Sequence, residues 1–172
     1  ITDMIASAFI QSDIKDIYTL KDIETKLANS LDLNISKLHN DPMQDKAVFA
    51  KAQEIVSFKV FVKNIADKST FIGASTITTQ NDNIISNATS KIFFDKATNE
   101  DATILKALNS MNIEVNDNNN KSIVYAQEEY SNLKQSIEDN IVNKDIDINK
   151  IDRYQRMIQE STRLVKSHIA NN

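Results

Sequence analysis

Two histidines, His39 and His168, and two Asn/Asp-rich stretches are the residues of this chain whose types and spacing invite chemistry. A calcium loop of the EF-hand kind needs oxygen ligands at positions 1, 3 and 5, a glycine at 6 and a bidentate glutamate at 12. Counted from Asp117, Asn119 falls at position 3 and Glu128 at position 12, but Lys121 holds position 5 and Ser122 position 6. Counted from Asp145, Asp147 and Asn149 fall at 3 and 5, but Lys150 holds 6 and Arg156 holds 12. Neither is an EF-hand. Both read as helix caps and solvated turns, the ordinary work of Asn and Asp. His39 stands beside Asn40 and Asp41, the makings of a His/Asp dyad, yet no nucleophile or oxyanion motif accompanies it. His168 falls in the last turn of a helical segment, where a cation suits the helix dipole.

The remaining candidates are weaker. With no cysteine and no histidine pair at ligand spacing, no metal site is expected. Glu128 and Glu129 are adjacent, so on a helix they point in different directions and form no paired-carboxylate site. Tyr125 and Tyr130 are able to contact a ligand, but helical tyrosines more often cover the edge of a core. A phosphate-cradling loop needs several glycines, and the chain has one. The expectation is a protein that is not an enzyme, with no catalytic, cofactor-binding or metal-ligating residues and no cofactor.

The elements that would position these residues are helices. One glycine and one proline stand in 172 residues, against average usages of about 7% and about 5%. Sheets and sharp hairpins lean on those two residues, so the chain is expected to be all-α, its turns made by Asn, Asp, Ser and Thr. About seven helices are expected, as a bundle with a long central helix and a C-terminal antiparallel hairpin. The first runs from about Thr2 to Gln11, with Met4, Ile5, Ala8 and Phe9 on one face, and Ser12-Asp13 breaks it. Thr19 to Asp22 resembles a capping box before Leu20, Ile23, Leu27 and Leu31. A single turn is expected around Lys37 to His39.

Asp41-Pro42 is the clearest local signal, an N-cap followed by a proline at the first helical position. It predicts a helix from Pro42 to about Asp67, whose stripe of Val48, Ala52, Ile55, Val56, Val62 and Ala66 is widened by Phe49, Phe58, Val60, Phe61 and Ile65. Such breadth predicts a central helix touched from several sides. Residues 68–80, with Gly73, resist a helical reading. Further helices are expected from a cap at Asn81 or Asp82 to about Asp95, after a capping-box-like Thr98 to Asp101, over Ser122 to about Asn143, and over about Lys150 to Ala170. The two long C-terminal helices pack best as an antiparallel pair. The chain reads as one domain, 1–172. A division into subdomains 1–68 and 81–172, joined by 69–80, stays open.

Bulk properties exclude more. The chain is 41% hydrophobic and 26% charged, too apolar and periodic for disorder. Its net charge is −4, with basic residues scattered among acidic ones, which argues against a nucleic-acid partner. No apolar run reaches the ~20 residues of a membrane span. The chain opens Ile1-Thr2-Asp3, without an initiator methionine or a basic leader, and so reads as a processed fragment.

The first 70 residues have a recognisable order. A short helix opened by Ile1-Thr2 precedes Ile23-Glu-Thr-Lys-Leu-Ala-Asn-Ser-Leu-Asp-Leu33, then Asn40-Asp41-Pro42, then Phe49-Ala-Lys-Ala-Gln-Glu-Ile55. This resembles the helical module of very large, adhesin-like bacterial secreted or cell-surface proteins that string together immunoglobulin-like, cadherin-like or calcium-binding repeats. The chain departs from that pattern with Asp3-Met4 where Pro-Leu is common, and with Ser30-Leu31-Asp32-Leu33 in place of Leu-Gly-Leu. The resemblance implies an extracellular or cell-surface location and a structural or interaction role. The partner would be a protein or a neighbouring domain, and there are no catalytic residues to carry over. An extracytoplasmic ligand-binding sensor domain, with a pocket between the long helices, and a cytosolic helical adaptor are the alternatives.

Overall fold

The computed structural model describes residues 1, 4–6, 17–70, 81–96 and 101–171, and all regular structure in them is helical. The helices are α1, described over residues 4–6, α2 (Ile17–Ser30), α3 (Lys46–Thr70), α4 (Asn81–Asp95), α5 (Ile104–Ser110), α6 (Asn120–Ile137) and α7 (Ile151–Asn171). Single 3-10 turns at Ile35–Lys37 and Ile148–Lys150 and a π turn at Glu138–Val142 complete them. Of the sequence expectations, those on Ala8, Phe9, Ser12, Asp13, Gly73 and Thr98 lie outside the described residues.

Helix α3 is the axis of the molecule. Phe49, Phe58, Phe61, Val62 and Ile65 are fully buried along it, and it packs against α4, α5, α6, α7 and the π turn. Such wide burial is what an apolar surface broader than one stripe demands. Val56, expected in that stripe, is instead 53% exposed. Leu27 and Leu31 of α2, Phe58 of α3, Ile104 of α5, Ile137 of α6 and Ile158 of α7 belong to one hydrophobic cluster, so chain on both sides of residues 69–80 shares a single core.

The Asp41-Pro42 expectation needs correction. The long helix begins at Lys46, not at Pro42. Asp41 heads a separate turn: its carboxylate accepts from the Met43 N–H at 2.9 Å and its carbonyl from the Gln44 N–H at 3.0 Å. Asp followed by Pro favours the start of a β-turn as strongly as the start of a helix, and here the turn takes them. Asp45 then caps α3, accepting from Ala47 N–H at 3.0 Å and Val48 N–H at 3.3 Å. Burial alone would raise the Asp45 carboxyl pKa. Hydrogen bonds from Asn40, Val48 and Ala47 and the charge of Lys37 outweigh that and lower it. Two other helix starts also differ. α2 begins before Thr19, and α5 is capped by Thr103, whose side chain accepts from Lys106 N–H.

With glycine so scarce, the left-handed positions that close helices fall to Asp and Asn. Asp32 has φ 54° and Asn112 φ 57°. Each is followed by a bond back into the helix, Leu33 N–H to Ala28 O at 2.9 Å and Ile113 N–H to Leu108 O at 3.1 Å, the Schellman pattern. Leu33 and Ile113 pack against the core, the apolar contact that accompanies such caps. Asp32→Gly is therefore expected to raise stability by up to about 1 kcal/mol, and Asp32→Val to lower it by about 1–2 kcal/mol. Urea-unfolding midpoints for the two variants check this.

Candidate functional site: a groove between the C-terminal helices

α6 turns Ile123, Ala126, Tyr130, Leu133 and Ile137 to the core, and α7 turns Ile151, Ile158, Val165 and Ile169. Both are amphipathic with the 3.6-residue period, so the residues flanking each buried stripe face one another across the pair. The helices run antiparallel, and their register is set where the Tyr125 and His168 rings lie 4.1 Å apart at 38°. Beyond that contact the flanks diverge into a groove of about 420 Å³. Its floor is Leu133, Ile137, Ile141 and Ile158; its rim carries Glu129, Asn132, Ser136, Asn140 and Ser161, with Tyr154 and Met157 on the α7 side. The π turn, marked by the bond from Asn143 N–H to Glu138 O at 2.9 Å, places Asn140 and Ile141 at its far end. This turn replaces the last part of the helix expected to reach Asn143, since apolar periodicity carries no sign of an i→i+5 bond. Met157 is 60% exposed and Leu164 56% exposed on the same edge of α7.

Glu129 and Tyr154 are the groove's ionisable lining groups, and among the described residues no group of three or more His, Asp or Glu is placed to hold a metal. Burial, helped by the charges of Glu129 and Glu128, raises the Tyr125 phenol above its ordinary pKa, so it remains a neutral ring against His168.

A second polar cluster lies inside the bundle. Glu54, 4% exposed in the middle of α3, accepts from Tyr130 Oη at 3.0 Å and pairs with Lys51 Nζ at 3.3 Å. Lys134 pairs with Asp101. That hydrogen bond, against opposing burial and with the charges of nearby lysines, lowers the Asp101 pKa. Burial raises the Tyr130 phenol pKa strongly, with the charge of Glu54 and the hydrogen bond to it, so Tyr130 stays a donor. Lys96 is half-buried nearby, its pKa lowered by burial and by Lys51 and Lys134 against the pull of Glu54 and Asp101. This network fastens α3 to α6.

The residues singled out in the sequence are dispersed. His39 Nε2 lies 2.9 Å from Glu24 Oε1 rather than joining Asp41 in a dyad. Asn119 is buried at 3% exposure; its amide ties Glu114 O at 2.8 Å and Ser69 Oγ at 3.1 Å. Asp147 accepts from Asn149 N–H at 3.0 Å at the head of a 3-10 turn. Tyr130 sits in the core, and Tyr125 packs against His168 next to the groove rather than lining it. Sequence reasoning missed the pairing of Tyr125 with His168 and the groove beside it; the one available signal was the run of Tyr154, Met157, Leu164 and His168 along one edge of α7. No family model matches this chain, and no curated protein or solved structure matches it either.

Proposed function

We propose that this chain is a non-enzymatic interaction module of a bacterial surface or exported protein, and that it offers the α6–α7 groove to a protein partner. One observation carries the binding role. Met157, which lines the groove above its apolar floor, and Leu164, two turns further along the same edge of α7, both stand more than half exposed. Apolar surface grouped on a concave face with a polar rim is the usual mark of a docking site, and a groove between helices suits an amphipathic helix. The surface or exported location rests on the resemblance of the first 70 residues. An export signal and β-rich repeats in the full-length reading frame would support it, and a frame encoding only this chain would overturn it.

The test of the groove is a photo-crosslinking residue at Asn132 in the producing cell, with the same residue at exposed Val56 as control. A product at Asn132 and none at Val56 is expected. Met157→Asp with Leu164→Asp should abolish that product while changing stability by no more than about 0.5 kcal/mol each, as for exposed positions in general. A product that survives both substitutions would overturn the proposal. A small-molecule ligand is the second reading, favoured by the groove's volume of about 420 Å³, within the ~300–1,000 Å³ of ligand sites. Ligand-induced methyl shifts confined to Leu133, Ile137 and Ile158 would distinguish it.

A further inference from the structure

We propose that the partner at this groove is a second copy of the chain, docked about a two-fold axis passing beside Ser161; this rests on the groove being an interaction face. Met157 and Leu164 lie two helical turns apart on the same edge of α7, with Ser161 between them. In an antiparallel pairing of α7 with its copy, Met157 of each chain meets Leu164 of the other. Each contact is made twice, as an isologous interface requires. The small side chain of Ser161 at the crossing lets the two backbones approach.

Charge points the same way. All three arginines of the chain, Arg153, Arg156 and Arg163, lie on α7. Arg163 is held by Glu160 of its own helix at 2.7 and 2.9 Å. Arg153 and Arg156 form no ion pair among the described residues, and neither do Glu128 and Glu129 of α6. Within one chain they lie at different levels of the helix pair. The Tyr125–His168 contact sets Glu128 and Glu129 abreast of the C-terminal half of α7, whereas Arg153 and Arg156 occupy its N-terminal half. A two-fold axis at Ser161 exchanges those halves and brings the arginines of each chain to the glutamates of the other. A face about 32 Å long, from 21 residues at ~1.5 Å each, and about 20 Å wide offers roughly 600 Å² per copy. That is near the lower end of stable interfaces, so the dimer is expected at micromolar concentrations.

The chain has no cysteine, so Ser161→Cys introduces a single thiol. Mild oxidation of that variant of the full chain is expected to give a disulfide-linked dimer, because Cα atoms at the axis come within the ~7 Å that a disulfide spans. Ser131→Cys, on the outer side of α6, should still associate but give no disulfide-linked dimer. By sedimentation, Glu128→Arg with Glu129→Arg should weaken association about tenfold or more, and adding Arg153→Glu with Arg156→Glu should restore it. A wild-type chain that stays monomeric to about 100 µM overturns self-pairing, as does a dimer that neither cross-links through the Ser161→Cys thiol nor responds to charge reversal. If the chain is monomeric while the Asn132 cross-link is still lost on Met157→Asp, self-pairing alone has failed. If that cross-link is also insensitive, the groove reading fails with it.

Discussion

Phe58→Ala is expected to lower stability by about 3–5 kcal/mol, a large share of the ~5–15 kcal/mol that holds a domain of this size together. Phe58 is 0% exposed and lies at the middle of the central helix. It meets Phe93 of α4 at 5.2 Å and 86°, and Tyr130 of α6 at 5.1 Å and 70°. Both are edge-on arrangements, each worth about 0.5–1.5 kcal/mol beyond the area buried. Removing the ring takes away both contacts and leaves a void walled by three helices. The chain has no tryptophan and few other aromatics to fill it. In urea, with a slope of about 1–3 kcal/mol per molar, the midpoint should fall by about 2 M. Phe58→Leu should cost less, because a branched side chain fills part of the space. A midpoint within roughly 0.5 M of wild type for Phe58→Ala would show that Phe58 is not the joint between α4 and α6.

Much of this architecture is written locally. The scarcity of glycine and proline dictates helices, and the spacing of Ile151, Ile158, Val165 and Ile169 marks the core face of α7. The widened apolar surface around Phe58 and Phe61 marks α3 as central. What the sequence hides depends on competition or on distance. Asp41 and Pro42 suit a β-turn and a helix start equally, and only the Asp45 side chain decides where α3 begins. Asp32 has a φ of 54°, the left-handed conformation usually left to glycine, which no local pattern announces. Val56 shares its helix with buried residues but faces solvent, because no element among the described residues packs over its side of α3. The groove was legible only as two amphipathic helices. Its depth follows from the register set by Tyr125 and His168, 43 positions apart in the sequence, and nothing local to either residue names the other. The same holds for Tyr130, which finds Glu54 across 76 positions.

That Tyr130–Glu54 bond yields the other large prediction. Tyr130→Phe leaves Oε1 of buried Glu54 without its donor, and the expected cost is about 1.5–3 kcal/mol, as for a hydrogen bond to a charged group. Glu54→Met leaves the Tyr130 hydroxyl unsatisfied and removes the carboxylate facing Lys51 and, less directly, Lys96 and Lys134. Its expected cost is about 3–5 kcal/mol, that of stranding charge in a partly buried site. The double variant removes donor and acceptor together, so it should be milder than the sum of the two by about 1 kcal/mol or more.

The Glu54→Met penalty should also depend on pH. Burial already holds Lys96 below the ordinary lysine value of 10.5, and Glu54 opposes that shift; without Glu54 the Lys96 pKa falls further. A lysine with a depressed folded pKa binds fewer protons in the folded state than in the unfolded one. Stability therefore rises with pH between the folded value and 10.5. The variant's deficit relative to wild type should accordingly shrink as pH is raised through that window. Denaturation of the four proteins of the cycle, at neutral and at alkaline pH, measures both effects. Additive single costs would show that Tyr130 and Glu54 are not coupled, and a deficit that does not change with pH would show that Glu54 does not hold the lysines around it.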